Sequence, residues 1–161
     1  MTDAARGREE FPFDPDVVPP ETSRAPHLQW RFLGLVAAGG AIGTAVREAL
    51  SLAIPPVDGL PVTIFAINVV GAFLLGVLLE TLVRRGPEND RRRAVRLFAG
   101  TGVLGGFTTY SALATDTALL LGGSPLPALA YALGTVLLGG LASAAGIGAA
   151  ARVARRRTDH R

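Results

Sequence analysis

Polar and apolar positions along this chain are bunched rather than interleaved. No charged side chain occurs at 59–79, at 97–115 or at 117–151. Such runs are candidate membrane helices, because about 20 apolar residues cross the hydrocarbon layer. Four spans follow from the pattern. The first runs from about 30 to 54, and its apolar part reads FLGLVAAGGAIGTAV. Arg47 and Glu48 fall in its last turns, and Pro55 and Pro56 stop it. The second runs from about 61 to 82, with Asn68 as its one strongly polar side chain at mid-depth. An arginine-rich loop, 84–96, leads into the third span, about 94 to 121. The turn GGSPLP, 122–127, reverses the chain into the fourth, about 128 to 151.

The third span is unusual. Its middle, GTGVLGGFTTYS, holds Gly100, Gly102, Gly105 and Gly106 beside Thr108 and Thr109. Each glycine costs a helix about 1 kcal/mol, so the spacing predicts a helix broken mid-membrane. Bare backbone at that depth is tolerated only where it is buried in protein or lines a polar cavity. The expected fold is an all-α membrane protein of four transmembrane helices, the third broken. Residues 1–29 carry six acids, three arginines and five prolines. They cannot bury a core and are expected to form a disordered tail. Their mixed charge, with no apolar stretch behind it, does not read as a secretory signal. The membrane domain is expected at 30–152, followed by a basic tail at 153–161.

Composition narrows the function classes. The chain has 161 residues, 49% of them apolar, with 20 glycines and no cysteine. Lack of cysteine excludes a disulfide scaffold, a thiol catalyst and a zinc-thiolate site. His27 and His160 lie outside the apolar part, leaving little for a metal centre or a histidine triad. No catalytic constellation is visible, so a non-enzymatic protein is expected.

The net charge of +3 conceals a strong sidedness, and every basic residue is arginine. Four spans put both termini on one side. Arg31, Arg84, Arg85, Arg91, Arg92, Arg93, Arg96, Arg152, Arg155, Arg156, Arg157 and Arg161 fall on that side, and only Arg47 lies toward the other. Basic residues near span ends stay cytoplasmic, so the termini and the middle loop are expected in the cytoplasm of a plasma-membrane protein. The same arginines can contact anionic lipid. With no aromatic residues interleaved, they do not read as a nucleic-acid site.

Few residues remain as candidates for chemistry. Asn68 either bonds a neighbouring helix or lines an aqueous path. Gly39 and Gly43 form a GxxxG step that, with Gly40, reads as helix packing. Arg47 beside Glu48 is close enough to a helix end to reach the interface. A broken helix frees carbonyls, which can hold a small cation, and N–H groups, which favour an anion. Thr108, Thr109 and Ser111 add hydroxyls. The break therefore reads as an ion or polar-substrate path, or else as a hinge.

Three stretches, GGAIGTAVRE (39–48), TIFAINVVGAFLLG (63–76) and GTGVLGGFTTYSALATD (100–116), resemble in order and spacing the fluoride-specific channels of the Fluc, or CrcB, family. The resemblance covers about residues 31–151. It implies an antiparallel dimer with two fluoride pores and a central structural sodium ion. Carried over, it implies that main-chain carbonyls of Gly105 and Thr108 hold the sodium. It makes Asn68 the pore-lining amide and Arg47 the vestibule arginine, with Thr109 and Ser111 in the hydroxyl-bearing part of the break. The family's TTFSxF motif faces fluoride with two ring edges, which are electrically positive. Here those positions are Tyr110 and Leu113. Tyrosine keeps a ring and adds a hydroxyl; leucine has no aromatic edge. Tyr131, Thr135 and Ser143 are further candidates on the fourth span.

The implied function is passive export of fluoride, lowering its cytoplasmic level. A subunit that inserts both ways needs little arginine bias, so the bias here predicts a heterodimer with an oppositely oriented paralogue. Two other readings are a non-conducting scaffold subunit and a small multidrug-type antiporter. The antiporter needs an isolated carboxylate in mid-span one, whereas Glu48 lies late and beside Arg47.

Overall fold

Two consecutive prolines end the first helix. In the computed structural model, which describes residues 29–159, helix α1 spans Trp30–Ala53. Ile54 is extended, at φ −121° and ψ 97°, because the ring of Pro55 clashes with a helical predecessor. In the tight turn that follows, Val57 and Leu60 exchange backbone hydrogen bonds of 3.0 and 2.9 Å. Asp58 and Gly59 take positive φ there, 50° and 77°, as the mirror-image turns require. Thr63 closes the corner, donating its hydroxyl to the Ile54 carbonyl at 2.8 Å.

Helix α2 spans Val62–Val83. Helix α3 (Asp90–Val95) begins where the Asn89 side chain accepts the Arg92 N–H at 2.9 Å. This cap satisfies one of the free N–H groups of the first turn, so helix starts earlier than the apolar run. The backbone continues through a π-helical segment, Arg96–Leu104, into a last turn, α4 (Gly105–Phe107). Thr108 and Thr109 leave the helix, with ψ of 153° and 120°. Helix α5 (Tyr110–Leu121) restarts it, and α6 (Pro125–Asp159) completes the described residues. Helix α6 runs on past 151 into the arginines, whose charge suits a helix C-terminus. No strand occurs among the described residues. The expected tail 1–29, Gln29 excepted, lies outside them, as do His160 and Arg161.

Close backbone approach holds the helices together. Helix α1 lies along the π-helical segment and α4, and α2 lies along α6. A Cβ at Gly39 would overlap the Phe98 carbonyl oxygen, and one at Gly43 the Val103 carbonyl oxygen. In return, a Cβ at Gly102 would come within 2.9 Å of the Gly39 Cα, and one at Gly106 would strike the Gly40 carbonyl. Two GxxxG steps, 39/43 and 102/106, therefore face each other. The α2–α6 pair repeats the device, with Gly76 on the Ser143 carbonyl and Gly146 on the Phe73 carbonyl. Lipid offers no hydrophobic drive between helices, so van der Waals contact between such backbones has to supply the association.

Side-chain burial is sparse. Phe32, Ile67 and Leu113 are buried, whereas Leu52, Leu126, Leu137 and Leu141 are largely exposed. So much exposed apolar surface is ruinous in water and natural in lipid. Three helical stretches are long and apolar enough to cross a membrane: Trp30–Ala53, Val62–Val83 and Pro125–Arg156.

Gly43→Leu is expected to lower the thermal unfolding midpoint of the detergent-solubilised protein sharply. Overpacking of this kind costs about 1–3 kcal/mol or more. Gly34 faces open space, so Gly34→Ala should leave the midpoint unchanged or raise it slightly.

Candidate functional site

Leaving a helix amid apolar surroundings frees backbone groups that must find new partners. Thr109 is extended, at φ −149° and ψ 120°, and Asn68 of α2 serves both of its backbone groups. The Asn68 Oδ1 accepts the Thr109 N–H at 2.8 Å, and the Asn68 Nδ2 donates to the Thr109 carbonyl at 3.1 Å. This two-bond ring fixes the amide's orientation and leaves one Nδ2 hydrogen unused. Asn68 thus joins two helices, one of the two roles its sequence position admits.

The neighbouring residues finish the break. The Thr108 N–H and hydroxyl both donate to the Leu104 carbonyl, each at 2.9 Å. Its methyl group lies where a Cβ on Gly71 would otherwise project. The Thr109 hydroxyl caps α5 by accepting the Ala112 N–H at 3.1 Å, and it shares a 3.1 Å hydrogen bond with the Ser111 hydroxyl. From α1, Arg47 Nε and the Thr44 hydroxyl both donate to the Gly106 carbonyl at 3.4 Å. Glu48 stands 3.8 Å from the Arg47 guanidinium. Outside the helices, no backbone donor among the described residues reaches the Thr108 carbonyl oxygen, and the Gly105 carbonyl lies one turn before the break.

Beside the break lies a cleft of about 320 Å³. Seven of the residues singled out from the sequence line it: Asn68, Gly100, Gly105, Thr108, Thr109, Tyr110 and Leu113. Thr135 of α6 joins them from the facing wall. Ser111 and Arg47 stand outside the wall and reach the break through Thr109 and Gly106. The two positions that depart from the aromatic motif, one keeping a ring and one losing it, differ in exposure. Tyr110 is 81% exposed and Leu113 only 6%. Thr135 is buried, its hydroxyl donating to the Tyr131 carbonyl at 2.7 Å.

One residue escaped the sequence reading. Asp116, on α5, accepts the Tyr131 hydroxyl at 3.2 Å. Its signal is plain in retrospect: it is the only charge between residues 97 and 151. Ionisable side chains within membrane segments are rare and pair with one another or with backbone carbonyls, and here the Tyr131 hydroxyl is the partner.

Long apolar helices around a polar, hydrogen-bonded break define a multi-pass membrane protein. The family model described as CrcB-like protein, Camphor Resistance (CrcB), matches residues 34–147, and the chain belongs to this family. Among curated relatives, the fluoride-specific ion channel FluC 2 of Leifsonia xyli subsp. xyli is 53% identical over 132 residues, covering 81% of this chain and 91% of the relative. FluC 1 of Cutibacterium acnes, of the same description, is 50% identical over 111 residues, covering 68% and 78%. FluC of Mesorhizobium japonicum is 42% identical over 106 residues, covering 64% and 82%.

Asn68→Ala removes both partners of the Thr109 backbone. Each unsatisfied group costs about 1–3 kcal/mol, so a clear drop in the thermal unfolding midpoint is expected. An unchanged midpoint would show that the amide ring carries no stability.

Proposed function

We propose that this chain is a subunit of a fluoride-specific ion channel that exports fluoride passively across the cell membrane and so lowers cytoplasmic fluoride. The observation that carries the reading is its identity, over most of their length, to relatives named as fluoride-specific channels. The geometry is consistent with it. Fluoride is small and strongly hydrated, so a path must offer hydrogen-bond donors in series without a deep trap. The unused Nδ2 hydrogen of Asn68, a spare hydroxyl hydrogen of the Thr109–Ser111 pair, and the Tyr110 hydroxyl and ring edge are such donors. Fluoride that enters as neutral HF dissociates inside and is held as the anion, so a passive channel suffices for exit. The reaction is transport, with no catalytic step.

The interrupted segment, Asp90–Leu121, serves as the third of four crossings in this reading. The helical stretch 90–107 rises at most about 27 Å, the length it would have at the α-helical 1.5 Å per residue, because its π-helical part is more compact, and α5 extends it. Four crossings return both termini to one side, and the arginine sidedness supports a cytoplasmic location for them. Small hard cations bind several oxygens. The carbonyls of Gly105 and Thr108, at the end of the helix, suit a sodium ion, and two oxygens from one chain call for more from a second subunit. When bound, the ion would tie the two subunits of an antiparallel dimer together. The arginine bias supports an oppositely oriented paralogue as the partner. A second reading, a scaffold subunit with no pore of its own, is favoured by one observation: Leu113 is buried where the family motif carries an aromatic ring.

Fluoride efflux from liposomes tests these readings. Vesicles holding this chain with its paralogue are expected to release fluoride and retain chloride, and vesicles holding this chain alone to release little. No fluoride release from either would overturn the channel reading. Strong release from the lone chain would overturn the obligate partner. Flux left intact by substitution of Asn68 in the pair would favour the scaffold. Exchanging sodium for N-methylglucamine is expected to lower the dimer fraction measured by size-exclusion chromatography.

A further inference from the structure

The arginine-rich end of the bundle is not uniformly charged. Arg84 pairs with Glu80, while Arg93 and Arg96 share Glu88, at 3.2 and 2.9 Å. Arg31 and Arg91 are both exposed, and no carboxylate lies within ion-pair distance of either among the described residues. Both line one shallow groove between α1 and α3, of about 460 Å³, together with Leu35, Asp90, Val95 and Phe98. Asp90 sets one negative charge against the two cations. Beside the groove, buried Phe32 has the Arg31 guanidinium 5.7 Å and that of Arg93 6.0 Å from its ring centre.

The order of residues along the groove is informative. Arg31 and Leu35 are four apart on α1, and Arg91 and Val95 are four apart along the helix that starts at Asp90. Residues so spaced share a face, one turn of about 5.4 Å from each other. Both walls therefore run from a guanidinium to an aliphatic side chain, and Phe98 continues the apolar floor. This is the sequence of chemistry along a phospholipid, from phosphate to acyl chain.

We propose that the α1–α3 groove binds one anionic phospholipid, with Arg31 and Arg91 on its phosphate and Leu35, Val95 and Phe98 against its first acyl segment. Arginine forks match phosphate oxygens in paired hydrogen bonds. A free phosphate ion would gain nothing from the apolar floor. A zwitterionic lipid would bring a second cation into a rim that is already positive. The proposal rests on the chain being in a membrane and is independent of which ion the protein conducts.

Native mass spectrometry of the purified full-length protein tests it, titrating phosphatidylglycerol, phosphatidylcholine or inorganic phosphate. Phosphatidylglycerol is expected to bind at least tenfold more tightly than phosphatidylcholine, with inorganic phosphate failing to compete. Arg31→Gln with Arg91→Gln should weaken that binding at least tenfold. Arg85→Gln with Arg152→Gln removes equal charge elsewhere and should leave it unchanged. Equal loss in both double variants would mean diffuse attraction and overturn the site. Equal affinity for the two lipids, or competition by phosphate, would overturn the occupant. A phosphatidylglycerol with a photoreactive acyl chain should label Leu35, Val95 or Phe98 in the unaltered protein. Labelling confined to other helices would overturn the proposal without recourse to any variant.

Discussion

Everything in this structure answers to one constraint: a backbone N–H or C=O facing lipid has no water to bond. A continuous helix meets it internally. At Thr108 and Thr109 the helix stops, and the burden passes to side chains drawn from elsewhere. Asn68 takes both polar groups of Thr109, Thr109 caps α5 with its own hydroxyl, and Arg47 and Thr44 take the Gly106 carbonyl. Three helices are thereby committed to one two-residue gap. The break is therefore a built feature.

The packing follows from the same need. Arg47 and Thr44 reach the Gly106 carbonyl because α1 lies almost backbone to backbone with the segment that carries it. That approach depends on glycines 39, 43, 102 and 106, each of which faces backbone atoms. Removing side chains at the contact thus serves two ends: it supplies contact area in a solvent that gives no hydrophobic drive, and it brings a cationic side chain within reach of the helix end.

Much of the fold was legible because charge is costly in lipid. The charge-free runs mark the long helices, and Pro55 and Pro56 mark a real stop. The glycines were the harder matter. Read by propensity, Gly100, Gly102, Gly105 and Gly106 are helix breakers, yet the backbone remains helical through all four, partly as a π-helix, and departs at two threonines. Propensity is a local quantity. It cannot register that Gly102 and Gly106 are small because α1 lies against them. The residues around the cleft were found because hydroxyls and an amide stand out in apolar sequence. Asp116 is harder to place from sequence, because a single charge between two uncharged runs reads equally as a span boundary. Its partner Tyr131 belongs to another helix and could not be paired with it from the sequence alone.

The amide ring between Asn68 and Thr109 joins residues 41 positions apart, and that separation sets an order of assembly. Chains are made from the N-terminus and insert as they emerge. Helix α2 is thus already in place, with its amide unpaired, when the gap at Thr108–Thr109 arrives. The later segment meets a partner that is waiting for it, and the Thr109 backbone need never stand alone in the bilayer.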